Sequence, residues 1–559
     1  MNQQQQEKLN MSRRQFLRSV TLVGGATVAS AIVAACGPAA TQAPSSAPTT
    51  APGAAVPAPT TAPAVVKPKS GGKITWAINQ DPVNLVPFGA IPTANHWGKE
   101  FMYDSLVEWD KDLNVKPALA EKWSTPDDKT WIWNLRQGVK FHNGQEVTAE
   151  DVKYSIEMQA NPPEPGIKIA QYPSITGVDV VDKYTVKFNM KGADPTVIGY
   201  LAWSRYSAII PKDQYAKANL VTTGIGTGPF KLVEYVAKDR VVYTKNKDFW
   251  KKDLPYLDEL VLKVLPDENA TLAALRAGQI DGCTVSADTA RAIKDPNLII
   301  LKGLFSAPRQ LQLTIKGDGK PWNKKPVRQA MNKAINRQEI LEKVYGGDGM
   351  LSGPVPPGYG DWFIKPEELA ANYYKYDLDG AKKLMAEAGF SNGFEITLYS
   401  ISIPVEYTQI AEIVKEQLKK IGIEVKVVPE EIAPFAKRNG DGTFDFCSTG
   451  RGMRHDVSGY INEYGRPTTG AASIWFNKGD GWKNNEAIKA YDQLVVELDV
   501  AKRKQLARRI QEIALDEYPH FTTVQPFKFH VIRKQVKDMY VAFNDFHTGL
   551  RETWLDPAG

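Results

Sequence analysis

The stretch "LDELVLKVLPDENATLAALRAGQIDGC", residues 257–283, constrains the fold more than any other part of the chain. From Leu257 to Leu265 apolar and polar residues alternate, which is the period of a half-buried strand. Pro266 ends that run, Asp267 is placed to cap a helix, and Gly278 supplies a left-handed stop. Ile280 to Cys283 then reads as a second, short strand, so the segment predicts a β-α-β unit. The alternation of strand and helix continues. In "KPVRQAMNKAINRQEILEKVYGG", Pro326 suits a helix's first turn. Asn336 and Glu339 form a capping-box-like pair for a second helix, which ends at Gly346-Gly347. "YTQIAEIVKEQLKKIGIEVKVV" gives an amphipathic helix, a stop at Gly422 and a strand from Ile423 to Val428, and helices dominate again from Glu486 to Leu515. The fold class is α/β with mixed sheets in more than one lobe, and 559 residues suffice for two or three domains.

The N-terminal region obeys different rules. "MSRRQFLRS" sets Arg13 and Arg14 before Phe16 and Leu17, and Ser19 to Ala35 carries no charge. A basic start, a short apolar run and small residues before a break are the anatomy of an export leader. The doubled arginine resembles the twin-arginine type, and Val33-Ala34-Ala35-Cys36 resembles a lipobox whose cysteine is acylated. An uncleaved single-span anchor is the alternative, although the run is near the lower limit of roughly 17–25 residues. Residues 37–70 then hold eight prolines, no acid and two lysines, Lys67 and Lys69. Such a segment buries too little apolar surface to offset its ordering entropy and reads as an extended, disordered tether.

Charge and motifs exclude several functions. Removing residues 1–35 takes away four basic residues and one acidic residue, which lowers the net charge from +6 to +3. That balance gives no nucleic-acid or polybasic membrane signal. Thirteen tryptophans and twenty-two tyrosines suit sites for sugars, peptides and other amphipathic ligands, though most serve the core. Cys283 and Cys447 stand outside any C-x-x-C, so no zinc site is readable, while a single disulfide between them stays open. The histidines at 96, 142, 455, 520, 530 and 547 form no i, i+4 pair, and no G-x-S-x-G, H-E-x-x-H or P-loop occurs. "GIGTGPF" carries Gly224, Gly226 and Gly228, but Pro229 and the strand-like "FKLVEYV" follow, so no helix N-terminus is offered to a pyrophosphate. It reads as a glycine turn into a strand. No cofactor is implied, and binding rather than catalysis is expected.

The segment "LNVKPALAEKWSTPDDKTWIWNLRQGVKFHNGQEVTAEDVKYSIE" resembles the signature of extracellular solute-binding proteins of family 5, the peptide, nickel and oligosaccharide receptors of ABC importers. The likeness continues through "GTGPFKLVEYVAKDRVVYTKNKDFW", "YDLDGAKKLMAEAGF" and the stretches already quoted, and covers residues 72–545 in the family's order. The signature also has a plain structural reading. Trp131, Trp133 and Leu135 share one face, and Val139 and Phe141 resume the alternation after Gln137-Gly138, which predicts a hairpin with His142 serving its turn. Thr148 then caps a helix and leaves Asp151 near its positive end.

The resemblance implies a periplasmic-binding-protein-like fold, with two lobes joined by two crossings near Leu304–Leu313 and Phe521–Phe529. The expected division is a leader over 1–35, a tether over 36–70, and a first lobe over 71–110 and 196–305. An inserted subdomain occupies 111–195, the second lobe 306–520, and residues 521–559 return to the first. The resemblance also implies an exported monomer, held on the outer face of the cell membrane through lipid on Cys36 and delivering its solute to permease subunits.

Peptide-binding relatives place an acid after a "G-x-F-D" strand, where it pairs with the ligand's ammonium. Here that stretch reads "GTFDFCSTGRGMRHDVSGYINEYGRP". An ungapped count from Asp445 puts Arg454 at the acidic position and Arg451 at the usual aromatic, and a shift of two residues would bring in Asp456. An arginine there favours a carboxylate, a phosphate or a hydrogen-bonded sugar. A local salt-bridged loop of Arg451, Arg454 and Asp456 is the bland alternative, and Tyr460 and Tyr464 are stacking platforms or core. The resemblance adds Asn79, Gln80 and Asp81 after the opening strand, and Trp362 in "VPPGYGDWF". The leading reading is a receptor for a peptide or peptide-like solute. An oligosaccharide or an anionic opine-like compound is the alternative, followed by nickel or haem binding, a chaperone-like binder and a hydrolase.

Overall fold

The computed structural model describes residues 67–557 except 83–84, 88–92, 161–171, 173, 215–222, 316–318, 466–481 and 544–546. The leader, Cys36 and the tether up to residue 66 lie outside the described residues. Among the described residues no helix is long and apolar enough to cross a membrane.

The chain opens with β1 (Lys73–Ile78) and a small ribbon of β2 (Val107–Trp109) against β3 (Val115–Pro117). The signature region follows. β4 (Ala120–Asp127), β5 (Thr130–Leu135), β6 (Ile175–Asp182) and β7 (Thr185–Met190) form a separate four-stranded sheet in the order β4-β5-β7-β6. Trp131, Trp133 and Leu135 do share a buried face, and Trp131 and Trp123 stack on Trp133 at 5.5 and 5.7 Å. The expected hairpin from 131 to 141 is not formed. Gly138, at φ +73°, turns the chain away from β5, and residues 140–146 make their own small turn, with Phe141 N donating to Gln145 O at 2.8 Å. The partners of β5 are β4 and β7 instead. Thr148 and Asp151 exchange roles at the next helix: the Asp151 carboxylate accepts from the Thr148 N–H and hydroxyl, both at 2.8 Å.

The glycine turn leads into β8 (Phe230–Val236), as its sequence implies, followed by β9 (Arg240–Lys245). A Cβ on Gly226 would lie 2.1 Å from the Met102 carbonyl, and one on Gly228 would lie 2.4 Å from that of Phe101. Close backbone approach therefore requires these two glycines. His142 holds the turn through Nε2 to Gly228 O, at 3.0 Å, and burial lowers its pKa to about 4.

The 257–283 segment gives β10 (Glu259–Val264), a helix Glu268–Arg276 capped by Asp267, a turn at Gly278 with φ +71°, and β11 (Gly282–Val285), two residues later than expected. β10 and β11 do not touch as neighbours. Both run parallel to β1 on either side of it. With β12 (Leu298–Leu304) the chain reaches the edge of this sheet, then crosses to β13 (Arg309–Leu313) in a second sheet.

The second sheet is built from β13, then β15 (Phe394–Ile401), β16 (Ile423–Glu430), β17 (Phe446–Gly450) and β18 (His520–Thr522), in the order β16-β15-β17-β13-β18. Between them, β14 (Gly349–Leu351) and helices such as Lys325–Ala334, Arg337–Tyr345, Glu406–Lys419 and Val500–Glu517 complete the lobe. Its core includes Trp322, Phe446, Tyr460, Tyr464 and Phe521. The chain recrosses between β18 and β19 (Val524–Arg533), which returns to the first sheet between β11 and β12. The first sheet thus runs β12-β19-β11-β1-β10-β9-β8, with β14 also pairing β19, over a core of Trp76, Phe101, Phe230 and Tyr243. Cys283 lies in the first sheet and Cys447 in the second, both as free buried thiols, so the disulfide left open by the sequence is absent.

Candidate functional site

Three parallel strands, β1, β10 and β11, end on the same edge of the first sheet. Chain leaving the carboxyl ends of parallel strands forms a crevice, the usual place for a ligand in such sheets. Here Asn79 and Gln80, Leu265 and Pro266, and Thr284 to Asp288 leave that edge and line a cavity of about 980 Å³. The opposite wall comes from the second lobe, through Arg309, Glu342 to Gly346, and Pro404 to Glu406. Phe305 and Pro526 to Lys528 line it beside the two crossings. The volume is at the upper end for small-molecule sites, roughly 300–1,000 Å³.

The cavity's charges are held by named contacts. Arg309, buried in β13, donates from Nε to Tyr345 OH at 2.9 Å, from Nη1 to Ala307 O at 2.7 Å and from Nη2 to Glu406 Oε1 at 2.5 Å. Burial opposes its charge, and Tyr345, Tyr407 and Glu406 outweigh that, so its pKa lies above the ordinary value. Across the cavity, Glu268 accepts from the Ser286 N–H at 3.1 Å and hydroxyl at 2.8 Å. Arg291 donates to Tyr345 O at 3.0 Å and to Asp348 Oδ2 at 2.5 Å, while Lys302 reaches Asp348 Oδ1 at 2.8 Å. These last bonds tie the first lobe to the second beside the crossings. Arg291, Arg309, Lys343 and Lys528 face Glu268, Asp288, Glu342 and Glu406 around one space, so the lining carries both signs.

Of the residues singled out from the sequence, Asn79 and Gln80 line this cavity. Asp81 lies just beyond and accepts from Tyr235 OH at 3.3 Å. The others sit within or around the second lobe. Trp362 packs against its core with Arg503 5.3 Å and Lys504 5.6 Å from its ring. Arg451 is buried and pairs with Glu463 at 2.5 Å. Asp456 meets Arg503 through both oxygens at 3.0 Å and accepts from Ser458 N at 2.9 Å. Burial alone would raise the Asp456 pKa, and Arg503 with Ser458 brings it below the usual carboxylate value. Tyr460 is fully buried, bonded to Gly452 O at 3.1 Å and to the Ser306 hydroxyl. For Arg451 and Asp456 the arrangement is the salt-bridged one, and Tyr460 and Tyr464 are core.

Arg454 differs from its neighbours. Its backbone exchanges hydrogen bonds with Tyr359 OH at 2.7 and 3.2 Å, but no described residue accepts from its guanidinium. Burial lowers its pKa, and Arg451 adds to that. The loop bearing it reaches the first lobe. The His455 ring stacks on Tyr200, and Met453 packs against the cores of both lobes. A Cβ on Gly199 would lie 2.2 Å from His455 O, so only glycine admits this contact.

Arg309, Tyr345, Glu406, Arg291, Lys528 and His547 are cavity residues that the sequence reading missed. Arg309 did leave a signal, a charged residue inside the strand-like "LFSAPRQLQL". The rest lie on segments far apart in sequence, which only the fold assembles.

Comparison with known proteins agrees with this architecture. Residues 114–473 match the family described as bacterial extracellular solute-binding proteins, family 5 middle. The chain is 28% identical over 509 residues to heme-binding protein A of Haemophilus influenzae, covering 84% of this chain and 90% of that one. It is 29% identical over 497 residues to di/tripeptide-binding protein 1 of Pseudomonas aeruginosa, covering 79% and 87%. Among solved structures, the binding protein AgaA of A. tumefaciens R10 in complex with agropinic acid superposes with a TM-score of 0.70 at 27% identity, over 87% of this chain and 99% of AgaA.

Proposed function

The chain belongs to the bacterial extracellular solute-binding proteins of family 5, and from that premise we propose that it captures a peptide or peptide-like solute between its lobes and delivers it to an ABC permease. The observation that carries this reading is the cavity of about 980 Å³ whose two walls come from different lobes and whose lining mixes four cations with four carboxylates. A peptide is a zwitterion with apolar side chains, and such a lining offers partners to both of its ends. The similarity to a di/tripeptide-binding protein supports the same class.

The mechanism follows from the two crossings. Both lobes contribute to the lining, so a solute makes its full set of contacts only when the lobes are together. It shifts the balance toward the closed form by its differential affinity for that form. The closed form is what a permease reads. The leader ending in Val33-Ala34-Ala35-Cys36 supports export through a twin-arginine route, lipidation at Cys36, and display at the outer face of the membrane on the tether over residues 36–70.

A thermal-shift screen of the purified protein against short peptides, oligosaccharides, opines and nickel chelates tests the reading. A ligand bound only by the folded state stabilises it by about 2.7 kcal/mol at a hundred times its Kd. Peptides are expected to raise the Tm, and a screen in which only another class does so replaces the reading. The second reading keeps the receptor role with an anionic opine-like or sugar solute. It is favoured by the Arg454 guanidinium, which has no acceptor among the described residues, and by the likeness to the agropinic acid complex. Shifts limited to anions or sugars and lost in Arg454→Ala would select it.

A further inference from the structure

Of the four cations that line the cavity among the described residues, Arg309 is the buried one. Its guanidinium lies 4.9 Å from the centre of the Tyr407 ring. Gly450, its partner on the neighbouring strand β17, makes room for that stack: a Cβ there would lie 3.3 Å from Nη1 and 2.5 Å from Tyr407 OH. Nε and Nη1 are held by neutral acceptors, Tyr345 OH at 2.9 Å and Ala307 O at 2.7 Å. Only Nη2 donates to a charged group, Glu406 Oε1 at 2.5 Å. Glu406 is attached more lightly. It is the first residue of the helix Glu406–Lys419, and its carboxylate has no second donor among the described residues. Its side chain is 24% exposed, and Ile403 and Val405, which lead to it, are 71% and 60% exposed, so little packing restrains this segment.

The geometry points to Arg309 as the anchor for a bound peptide's terminal carboxylate, with Glu406 as an internal stand-in that the carboxylate displaces. The inference rests on the peptide reading given above. A buried guanidinium left without an anion is costly, and here one carboxylate replaces another, so the charge is never unpaired. The released Glu406 turns into water at the positive end of its own helix, where a carboxylate is favoured. Nε and Nη1 keep their bonds to Tyr345 and Ala307 throughout, which fixes the direction of Nη2, and Tyr345 is a positioning residue. A terminal amide brings no charge to exchange. Glu406 then keeps Arg309, and the cleft selects free carboxyl ends.

The test uses the purified protein, a mixed library of di- to pentapeptides, and mass spectrometry of what it retains. A retained peptide and its C-terminal amide are then titrated by calorimetry into the parent protein, Glu406→Gln, Arg309→Gln and Arg309→Lys. The parent is expected to prefer the free acid by about tenfold or more, the scale of a hydrogen bond to a charged group. Arg309→Gln loses that preference, and Arg309→Lys, which keeps the charge but not the planar fork, retains part of it. Glu406→Gln weakens the stand-in and binds the free acid several-fold tighter than the parent. That sign is decisive, because a carboxylate that only orients Arg309, or that itself receives the peptide's ammonium, would weaken binding when neutralised. Weaker binding of the free acid in Glu406→Gln, or equal binding of acid and amide by the parent, overturns the inference and leaves the peptide reading standing. A library from which nothing is retained overturns the peptide reading, and the inference with it. Should circular dichroism show that Arg309→Gln does not fold, the parent's preference and Glu406→Gln, at the cavity rim, still decide.

Discussion

Asp456 shows what a sequence can and cannot say about one residue. Its distance from the "G-x-F-D" strand made it a candidate ammonium partner, yet its carboxylate is closed by Arg503, a residue 47 positions away. Spacing along one loop carries no information about a partner on a distant helix. Removing one member of a buried pair leaves the other charge uncompensated, so Asp456→Ala should cost about 3–5 kcal/mol of stability. Chemical denaturation of the variant measures it. The sign of the pH dependence follows from the lowered pKa: the carboxylate stabilises the fold above its unfolded value, about 3.9, and that contribution disappears as pH falls through the lower folded value. The loss on acidification should be absent in Asp456→Asn. Gly199 makes a second case. Nothing in "DPTVIGYL" marks its glycine as special, because the constraint is the His455 carbonyl from the other lobe. Gly199→Val should keep the secondary structure but hold the lobes apart, seen as a larger radius of gyration in solution scattering with peptide present.

At the level of elements, most of the fold was legible. The helix after Pro266, the turn at Gly278 and the strand after Gly422 fall within two residues of their expected places, because each boundary is set by local chemistry: a cap, a left-handed glycine, a missing N–H. The errors occur where a tertiary contact replaces a local one. The Asn336 side chain accepts from Glu339 N at 3.1 Å as expected, but the Glu339 side chain bonds Lys343 and Gln417 rather than closing the capping box. Gln417, from the helix Glu406–Lys419, accepts from Asn336 N at 3.1 Å in its place. Asn336→Ala should therefore cost about 1 kcal/mol by loss of the cap. Glu339→Ala should leave the cap intact and cost less, a ranking that urea midpoints would reverse if the box were closed by Glu339. The hairpin expected at 131–141 failed for the same reason, since β7, some fifty residues on, takes the place of the nearer segment.

For the whole molecule, the two-lobe plan came from the resemblance, whereas the cleft's charged lining came from the fold. Pattern and period identify strands but not which strand ends share an edge. The proposed anchoring also belongs at this scale. Cys36→Ser should move the protein from the membrane fraction to the soluble fraction while leaving solute binding unchanged, as fractionation and calorimetry on the same preparation would show.

The position of β19 bears on the order of synthesis. This strand, residues 524–533, lies between β11 and β12 in the first sheet, although it is made some 220 residues after β12. Until it leaves the ribosome, β11 and β12 each present an unpaired edge, and open edges are templates for association with other chains. The amino-terminal lobe, begun first, is therefore completed last. A chain truncated before residue 524 should keep the second sheet's partners yet aggregate through the first, so full-length release has to precede productive folding.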